Sequence, residues 1–315
     1  MRVLATGAIS PDHIALSELE DLGHRVYYMQ DERGPLPDGA LLVEAIICNG
    51  LFLHHDWTSF SNLELVQLTS AGFDRVPVSE LRERGILVFN AKGVYAIPIS
   101  EWILMVILQF CKKSRLFEEN QRHRRWVKSR DLAELSGKTA CIIGLGDIGI
   151  ETAKRLRAFG VRIVGVTTTG RPSEHAELVI TPSDLLETLT QADFVVASVP
   201  LTPKTKGMIG DAEFLAMKEG AIFVNVSRGA VVNEAALLSA LTSNRLGGAA
   251  LDVFQEEPLP ADSPLWAHER VVVSPHNSFV SDENAARLWG RVIENLQQYE
   301  RDTRGQAQLQ GDSDL

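Results

Sequence analysis

Cysteine is scarce in this sequence. Cys48, Cys111 and Cys141 lie far apart, and none belongs to a CxxC pair. Neither a disulfide framework nor a thiolate zinc site is expected, no other metal site stands out, and a reducing cytoplasm fits best. The three thiols read as small buried apolar side chains. Long apolar runs are missing too. The longest, WILMVIL at 102–108, is about a third of what a bilayer span requires, so no membrane partner is expected. The N-terminus, MRVLATGAI, reads as a strand and a turn rather than a secretory leader. Positive charge is in deficit: 31 Lys and Arg stand against 41 Asp and Glu, a formal net charge of −10. An acidic surface repels nucleic acid, which excludes that class of partner as well.

What is present is a folding composition. Hydrophobic residues make up 45% and charged residues 23%, ordinary for a globular chain, and the length suffices for about two domains. RVLAT (2–6), RVYYM (25–29), AIIC (45–48), LVQLT (65–69) and ILVFN (86–90) read as strands. Between them, SELEDLG (17–23) and VSELRERG (78–85) read as helices closed by Gly23 and Gly85. A long helix is expected from Pro98 to about His123. Its first half is apolar nearly all round, which marks burial between domains or subunits. From Lys138 the alternation restarts, with strands expected at 139–143, 161–166, 193–198, 221–226, 248–252 and 270–274. Such a series makes a doubly wound domain. The segment after His276 reads as one amphipathic helix that packs back on the first domain, followed by a frayed tail, RGQAQLQGDSDL. The fold class is therefore α/β, with two doubly wound parallel-sheet domains: residues 1–95 plus 278–315, and residues 96–277.

The second domain opens with GLGDIG at 144–149, between the strand TACII and the helix DIGIETAKRLRAFG. A lone GxGxxG says little, but in this strand–turn–helix setting it reads as a dinucleotide-binding turn. Gly144 permits the tight turn, Gly146 lets a pyrophosphate approach the backbone, and Gly149 lets the helix pack close to the strand. Such a site ordinarily carries an acidic residue at the end of the second strand, bound to the adenosine ribose. In VRIVGVTTTGRPS (161–173) that acid is missing. Thr167 stands there, followed by Thr168, Thr169, Gly170 and Arg171. Hydroxyls and a cation suit a 2′-phosphate, so NADP(H) is the preferred cofactor and NAD(H) the alternative.

Three further stretches end strands with reactive side chains: NVSRG (225–229) with Arg228, LDVFQEEP (251–258) with Asp252, Glu256 and Glu257, and VVVSPH (271–276) with His276. Alone, each has a plain reading as a solvated charge or a turn residue. Together, at the carboxyl edge of a sheet that binds a dinucleotide, they indicate chemistry. Reducing a 2-oxo acid needs a hydride, a proton for the developing alkoxide and a cation for the carboxylate. Arg228 can fork onto carboxylate and carbonyl oxygens. His276 can supply the proton, and Glu257 on its other ring nitrogen would fix the tautomer. Pro275 restrains the backbone that presents His276.

These motifs resemble the D-isomer-specific 2-hydroxyacid dehydrogenases, from GLGDIG through ADFVVASVPLTPKTKGMIG and FVNVSRGAVVNEAAL to GGAALDVFQEEPL and SPH. Within that family the chain is similar to glyoxylate/hydroxypyruvate reductases or phosphoglycerate dehydrogenases without the regulatory domain. The resemblance implies a Rossmann coenzyme domain inserted into a flavodoxin-like substrate domain. It implies Arg228 as the substrate-binding arginine, Glu257 as the histidine's partner and His276 as the acid/base, with Glu256 a bystander. It places the amides of Asp147 and Ile148 on the pyrophosphate, and Val199, Thr205, Val226, Ser227 and Asp252 along the cofactor, Asp252 near the nicotinamide amide. TSAGFD (69–74) resembles the loop whose amides, at Ala71 and Gly72, hold the substrate carboxylate. NAKGVYAIPISEW resembles the crossing into the cofactor domain, with Tyr95 facing the substrate. A homodimer through the cofactor domains is implied, which accounts for the apolar helix at 99–111.

The sequence departs from the family pattern in places. Thr167 replaces the usual acid. Asn233 stands where an Asp is common, and Ser198 where a His is common. NSFVSDE follows His276 in place of small residues and glycines. That stretch borders the substrate pocket and leaves the substrate open. RHRRWVKSR (122–130), basic in an acidic protein, reads as a solvated helix end. Its alternative is that Trp126 and a neighbouring arginine meet an anionic substrate tail, in this subunit or a partner. The leading expectation is an NADP(H)-preferring 2-oxo acid reductase. A phosphite-type dehydrogenase is a second reading, while Glu257 argues against a formate enzyme. A dinucleotide-sensing scaffold like the C-terminal-binding-protein corepressors is a third, and the acidic surface argues against it.

Overall fold

Short aliphatic and β-branched runs build two separate parallel sheets. The computed structural model describes residues 1–8 and 13–311, in two units: Met1–Tyr95 together with the chain from Ser281, and Ala96–Val280. In the first unit, β1 (Arg2–Thr6), β2 (Arg25–Met29), β3 (Ala45–Cys48), β4 (Leu65–Leu68) and β5 (Leu87–Phe89) pair in the order β2-β1-β3-β4-β5, which is the flavodoxin-like order. Side chains alternate along a strand, and this splits the core in two. Leu4, Ile46, Cys48, Val66 and Leu68 pack on one face with Leu81. Val3, Ala45, Ile47 and Leu65 pack on the other. There Leu19 of α1 (His13–Asp21) and Leu288, Val292 and Leu296 of the C-terminal helix (Asn284–Gly311) cover them. Leu81 belongs to α2 (Val78–Glu83). Strands covered on both faces read as continuous apolar runs, as these do.

The C-terminal helix runs on through residues 304–311, where the sequence suggested a frayed tail. Ala, Gln and Arg extend a helix that is already nucleated at little cost. Residues 312–315 of that tail lie outside the described residues.

The second unit holds β6 (Thr139–Ile143), β7 (Arg162–Val166), β8 (Leu178–Ile180), β9 (Phe194–Ala197), β10 (Ala221–Asn225), β11 (Leu246–Leu251) and β12 (Val271–Val273), in the order β12-β11-β10-β9-β6-β7-β8. Counted from β6, this is the Rossmann order with one strand added at the far edge, and the order reverses between β6 and β9. β8 is an addition to the expected strands. Its helices are α3 (Ala96–Lys112), α4 (Ser114–Arg122), α5 (Asp147–Ala158), α6 (Leu185–Leu189), α7 (Asp211–Ala216) and α8 (Glu234–Thr242).

The long helix expected from Pro98 to His123 is thus two helices. Lys113 takes a left-handed φ of 51°. The Ala133 N–H donates to the Cys111 carbonyl at 3.0 Å, so a returning segment claims a group the next helical turn would need. Beyond α4, the basic stretch lines a cavity of about 690 Å³ with Phe117 and Asn120, and Trp126 stands 95% exposed on it. The core of this unit packs Ile143, Val195, Phe223 and Leu251 against Phe214 of α7 and Leu237 and Leu241 of α8. Cys48, Cys111 and Cys141 are all buried. Burial pushes the Cys141 thiol up to about 12 and raises that of Cys48 as well, which makes both poor nucleophiles. Among the described residues, no helix is long and apolar enough to cross a membrane.

Candidate active site

The glycine turn sits where the second sheet reverses order. Gly144 has φ 99°, and a side chain on it would lie 2.8 Å from both the Ser198 carbonyl oxygen and Val199 Cγ1. A side chain on Gly149 would lie 2.2 Å from the Gly144 carbonyl oxygen. Only glycine lets turn and helix close this tightly on the strand. The Ser198 hydroxyl fastens the arrangement by donating to the Gly144 carbonyl at 2.9 Å. Gly146 is different: nothing lies within 4 Å of the point its Cβ would occupy, so its backbone is open to a ligand. No side chain caps α5 at Gly146. The first-turn amides, those of Asp147 and Ile148 included, are left for an anion at the positive end of the helix dipole. An open backbone and uncapped amides at a switch point fit a dinucleotide pyrophosphate.

The other residues assigned to the cofactor surround this turn or hold its neighbouring loops. Val226 is buried and donates its amide to the Ala197 carbonyl at 3.2 Å. Ser227 donates both amide and hydroxyl to Asn225 Oδ1, at 3.1 and 2.6 Å. The Thr205 hydroxyl donates to the Pro200 carbonyl at 2.6 Å and accepts from the Thr202 amide at 2.8 Å, so it shapes its own loop. At the end of β7, Thr167 Oγ1 accepts from the Gly170 amide at 3.0 Å. This folds the turn so that Thr168 and Arg171 stand exposed on it.

The strands β10, β11 and β12 are neighbours, and their carboxyl-end loops meet. Gly229 makes this possible: a Cβ there would lie 1.8 Å from the Phe254 carbonyl carbon. Backbone touches backbone, drawing the Arg228 loop onto the loop that carries Glu257. Arg228 is half-buried and donates from Nη1 to the Ser227 carbonyl at 2.8 Å. His276 Nδ1 lies 2.8 Å from Glu257 Oε2, and Glu257 Oε1 accepts from the Phe254 amide at 3.0 Å. The carboxylate is therefore aimed from both ends, and with Nδ1 engaged, Nε2 is the ring nitrogen left for another partner. Glu256 is exposed.

Two residues here make contacts that the sequence reading did not foresee. Asp252 is 2% exposed. Its Oδ1 accepts from the amides of Asn277 and Ser278, at 2.8 and 3.0 Å, and its Oδ2 accepts from the Ser278 hydroxyl. It clamps the residues after His276, and spacing alone carries no signal of that. Phe279 sets its ring perpendicular to the imidazole, at 87° and 6.3 Å between centroids. The only hint was an aromatic residue in a stretch where the family pattern is small.

In the first unit, the loop TSAGFD has its carbonyls tied from one side. Tyr95 donates its hydroxyl to the Thr69 carbonyl, Ala91 its amide to Ser70 at 3.0 Å, Asn90 Nδ2 to Ala71 at 2.6 Å, and Ser70 Oγ to Gly72 at 2.9 Å. The amides of Ala71 and Gly72 make no hydrogen bond among the described residues. Carbonyls held back and amides left unbonded are an arrangement that can receive an anion. Burial raises the Tyr95 phenol above its ordinary value, and the tyrosine props the loop.

Residues 104–278 match the model of the D-isomer specific 2-hydroxyacid dehydrogenase NAD binding domain. A glyoxylate reductase from Korarchaeum cryptofilum is 35% identical over 76% of this chain and 74% of that protein. The chain spans less than half the length of the longer D-3-phosphoglycerate dehydrogenases it also matches, 44% in the one from Methanocaldococcus jannaschii, which is 36% identical over 73% of this chain. Among solved structures, a 2-hydroxyacid dehydrogenase family protein from Aeromonas salmonicida superposes with a TM-score of 0.83 at 29% identity, over 96% of each chain. One from Xanthobacter autotrophicus, solved with NADPH and MES, gives 0.79 at 27% identity over 96% of this chain and 95% of that one. With a matched coenzyme domain and relatives along most of its length, the chain belongs to the D-isomer-specific 2-hydroxyacid dehydrogenases, oxidoreductases that move hydride between a nicotinamide dinucleotide and a 2-hydroxy or 2-oxo acid.

Proposed function

We propose that this chain is a 2-oxo acid reductase that prefers NADP(H) and works through Arg228, Glu257 and His276. The observation that carries the reading is the Glu257–His276–Nε2 axis on a loop pinned beside that of Arg228. Arg228 holds the substrate carboxylate and polarises the carbonyl by a forked pair of hydrogen bonds. The amides of Ala71 and Gly72 supply further donors for the carboxylate. His276 delivers a proton from Nε2 to the oxygen that becomes the alkoxide, and takes it back in the reverse direction. Glu257 holds Nδ1–H, orients the ring and stabilises its positive form. The bound nicotinamide supplies or accepts the hydride. The amides at Asp147 and Ile148 hold the pyrophosphate, and Val199, Thr205, Val226 and Ser227 line the dinucleotide. The exposed Thr168 and Arg171, with no carboxylate in that turn, favour a 2′-phosphate, and the NADPH complex of the Xanthobacter relative supports this preference.

The first unit is assigned to the substrate and the second to the cofactor. Pairing of two copies through α3 is supported by its apolar character and by Met105, which stands 52% exposed. A cytoplasmic setting is supported by three separate, buried thiols. Initial rates with NADPH and NADH, each against a panel of 2-oxo acids and against phosphite in the oxidative direction, test the reading. Oxidation of NADPH by at least one 2-oxo acid, faster than that of NADH, is expected. Turnover with phosphite alone, or none at all, would overturn it.

A further inference from the structure

We infer that Phe279 makes the side-chain wall of the substrate site, and that the substrate is a 2-oxo acid with an aliphatic or aromatic group on C3. The inference rests on the reductase reading and deepens it. It starts from the clamp. Both carboxylate oxygens of the buried Asp252 are bound by Asn277 and Ser278. The backbone carbonyl of Asp252 accepts the His276 amide at 2.8 Å, and the Val280 amide closes a turn on the Asn277 carbonyl at 3.1 Å. The four residues after the acid/base are thus held as one rigid turn, and that turn directs the Phe279 ring to the imidazole, perpendicular to it.

A wall set this close to the proton donor borders the carbon chain of whatever substrate His276 protonates. The wall is apolar. Phe279 is 36% exposed and Val280 53% exposed. A two-carbon oxo acid has no side chain to lay against it. A hydroxymethyl or phosphorylated side chain would lose water there without gaining a hydrogen bond, which is unfavourable. An isobutyl or benzyl group would instead bury apolar surface against a ring that also accepts edge-to-face packing.

The test compares glyoxylate, hydroxypyruvate, 4-methyl-2-oxopentanoate and phenylpyruvate with NADPH, in the wild type and in Phe279→Ala and Phe279→Leu. The wild type should favour one of the two apolar substrates over glyoxylate by about tenfold or more in kcat/KM, the discrimination that a few methylenes in an apolar pocket provide. Phe279→Ala should lose about tenfold on that substrate, mostly in KM, and measurably less on glyoxylate. Phe279→Leu should keep the preference for 4-methyl-2-oxopentanoate. As a readout without turnover, D-2-hydroxy-4-methylpentanoate should raise the melting temperature with NADP+ more than glycolate does. Glyoxylate or hydroxypyruvate as the best wild-type substrate would overturn the inference while leaving a reductase. Equal losses on all substrates in Phe279→Ala would also overturn it, by showing a positioning role. Should that variant fail to fold, the wild-type ranking decides alone. No turnover of any substrate would remove the reductase reading itself.

Discussion

Replacing Glu257 with Gln tests the axis on which the proposed chemistry depends. Glu257 accepts two hydrogen bonds at once, from the Phe254 amide at 3.0 Å and from His276 Nδ1 at 2.8 Å. A glutamine has one acceptor oxygen. If that oxygen keeps the Phe254 N–H, its NH2 meets Nδ1 and favours the neutral Nε2–H tautomer, a far weaker acid than the imidazolium and unable to take a proton from an alcohol in the reverse direction. If the oxygen turns to His276, its NH2 faces the Phe254 N–H, donor against donor. Either way one contact is lost. A hydrogen bond to a charged group contributes about 1.5–3 kcal/mol, or about 10- to 100-fold in rate. The two side chains are 34% and 35% exposed, so solvent screening pulls the charge contribution toward the lower end. The forced mismatch adds about 1 kcal/mol for an unmade bond. The two together, about 2.5 kcal/mol, give a fall in kcat of about 70-fold in steady-state NADPH oxidation, with less change in KM than in kcat. Glu256→Gln, one residue away and exposed, serves as the control and should stay within about twofold. Activity of Glu257→Gln within threefold of wild type, in a folded protein, would refute the reasoning.

Other perturbations have outcomes that follow as directly. Thr167→Asp puts an acid at the end of β7, where it meets a ribose hydroxyl well and a 2′-phosphate badly. The ratio of kcat/KM for NADPH to that for NADH should fall by about tenfold or more, and an unchanged ratio would contradict the cofactor assignment. Gly229→Ala forces a methyl group to within 1.8 Å of the Phe254 backbone. Overpacking of this kind costs about 1–3 kcal/mol and lowers the melting temperature by about 2–10 °C, and kcat should fall with it because Arg228 and Glu257 are driven apart. Asp193 supplies a pH effect on stability. Burial alone would raise its carboxyl, but Lys218, the Thr139 amide and Lys138 hold it below the ordinary aspartate value of 3.8. A depressed folded value means its stabilisation is present above pH 3.8 and lost as pH falls through the folded value. Chemical denaturation should therefore show Asp193→Asn destabilised at pH 7, with the gap to wild type closing in strong acid.

Much of the fold was legible because both sheets are parallel and covered on both faces. Runs such as AIIC and AIFVN are buried along their whole length, so a plain search for short apolar runs finds them. β8 was not found, although β5 and β12 are equally short edge strands and were. The break at Lys113 was not found either, because its cause is a hydrogen bond from Ala133, some twenty residues on. The glycine turn was legible because Gly144 and Gly149 answer local steric demands and Gly146 leaves its backbone open. The reactive residue types were legible because they end strands. What a sequence does not contain is which neighbour wins a contact. Asp252 ends a strand like the other candidates, and only the structure shows its carboxylate bound by Asn277 and Ser278. The tied carbonyls of the TSAGFD loop are invisible for the same reason, since their donors come from residues 90, 91 and 95.

Asp252 shows how the cost of presenting the acid/base is met. His276 holds a left-handed φ of 50°, a conformation that costs about 1 kcal/mol or more for a residue with a side chain. Relaxing it would swing the imidazole off Glu257. Immediately after it, a carboxylate that is 2% exposed accepts two amides and a hydroxyl. An ionised group that deep is tolerated only because its oxygens are bound by donors. Breaking the turn after His276 would therefore leave a buried charge without donors, at a cost well above the strain it relieves. The backbone at His276 stays strained because the alternative is worse. The same accounting explains why an acid at position 252 serves the site without touching a reacting atom: its three donors lie on Asn277 and Ser278, directly beyond the residue whose geometry matters.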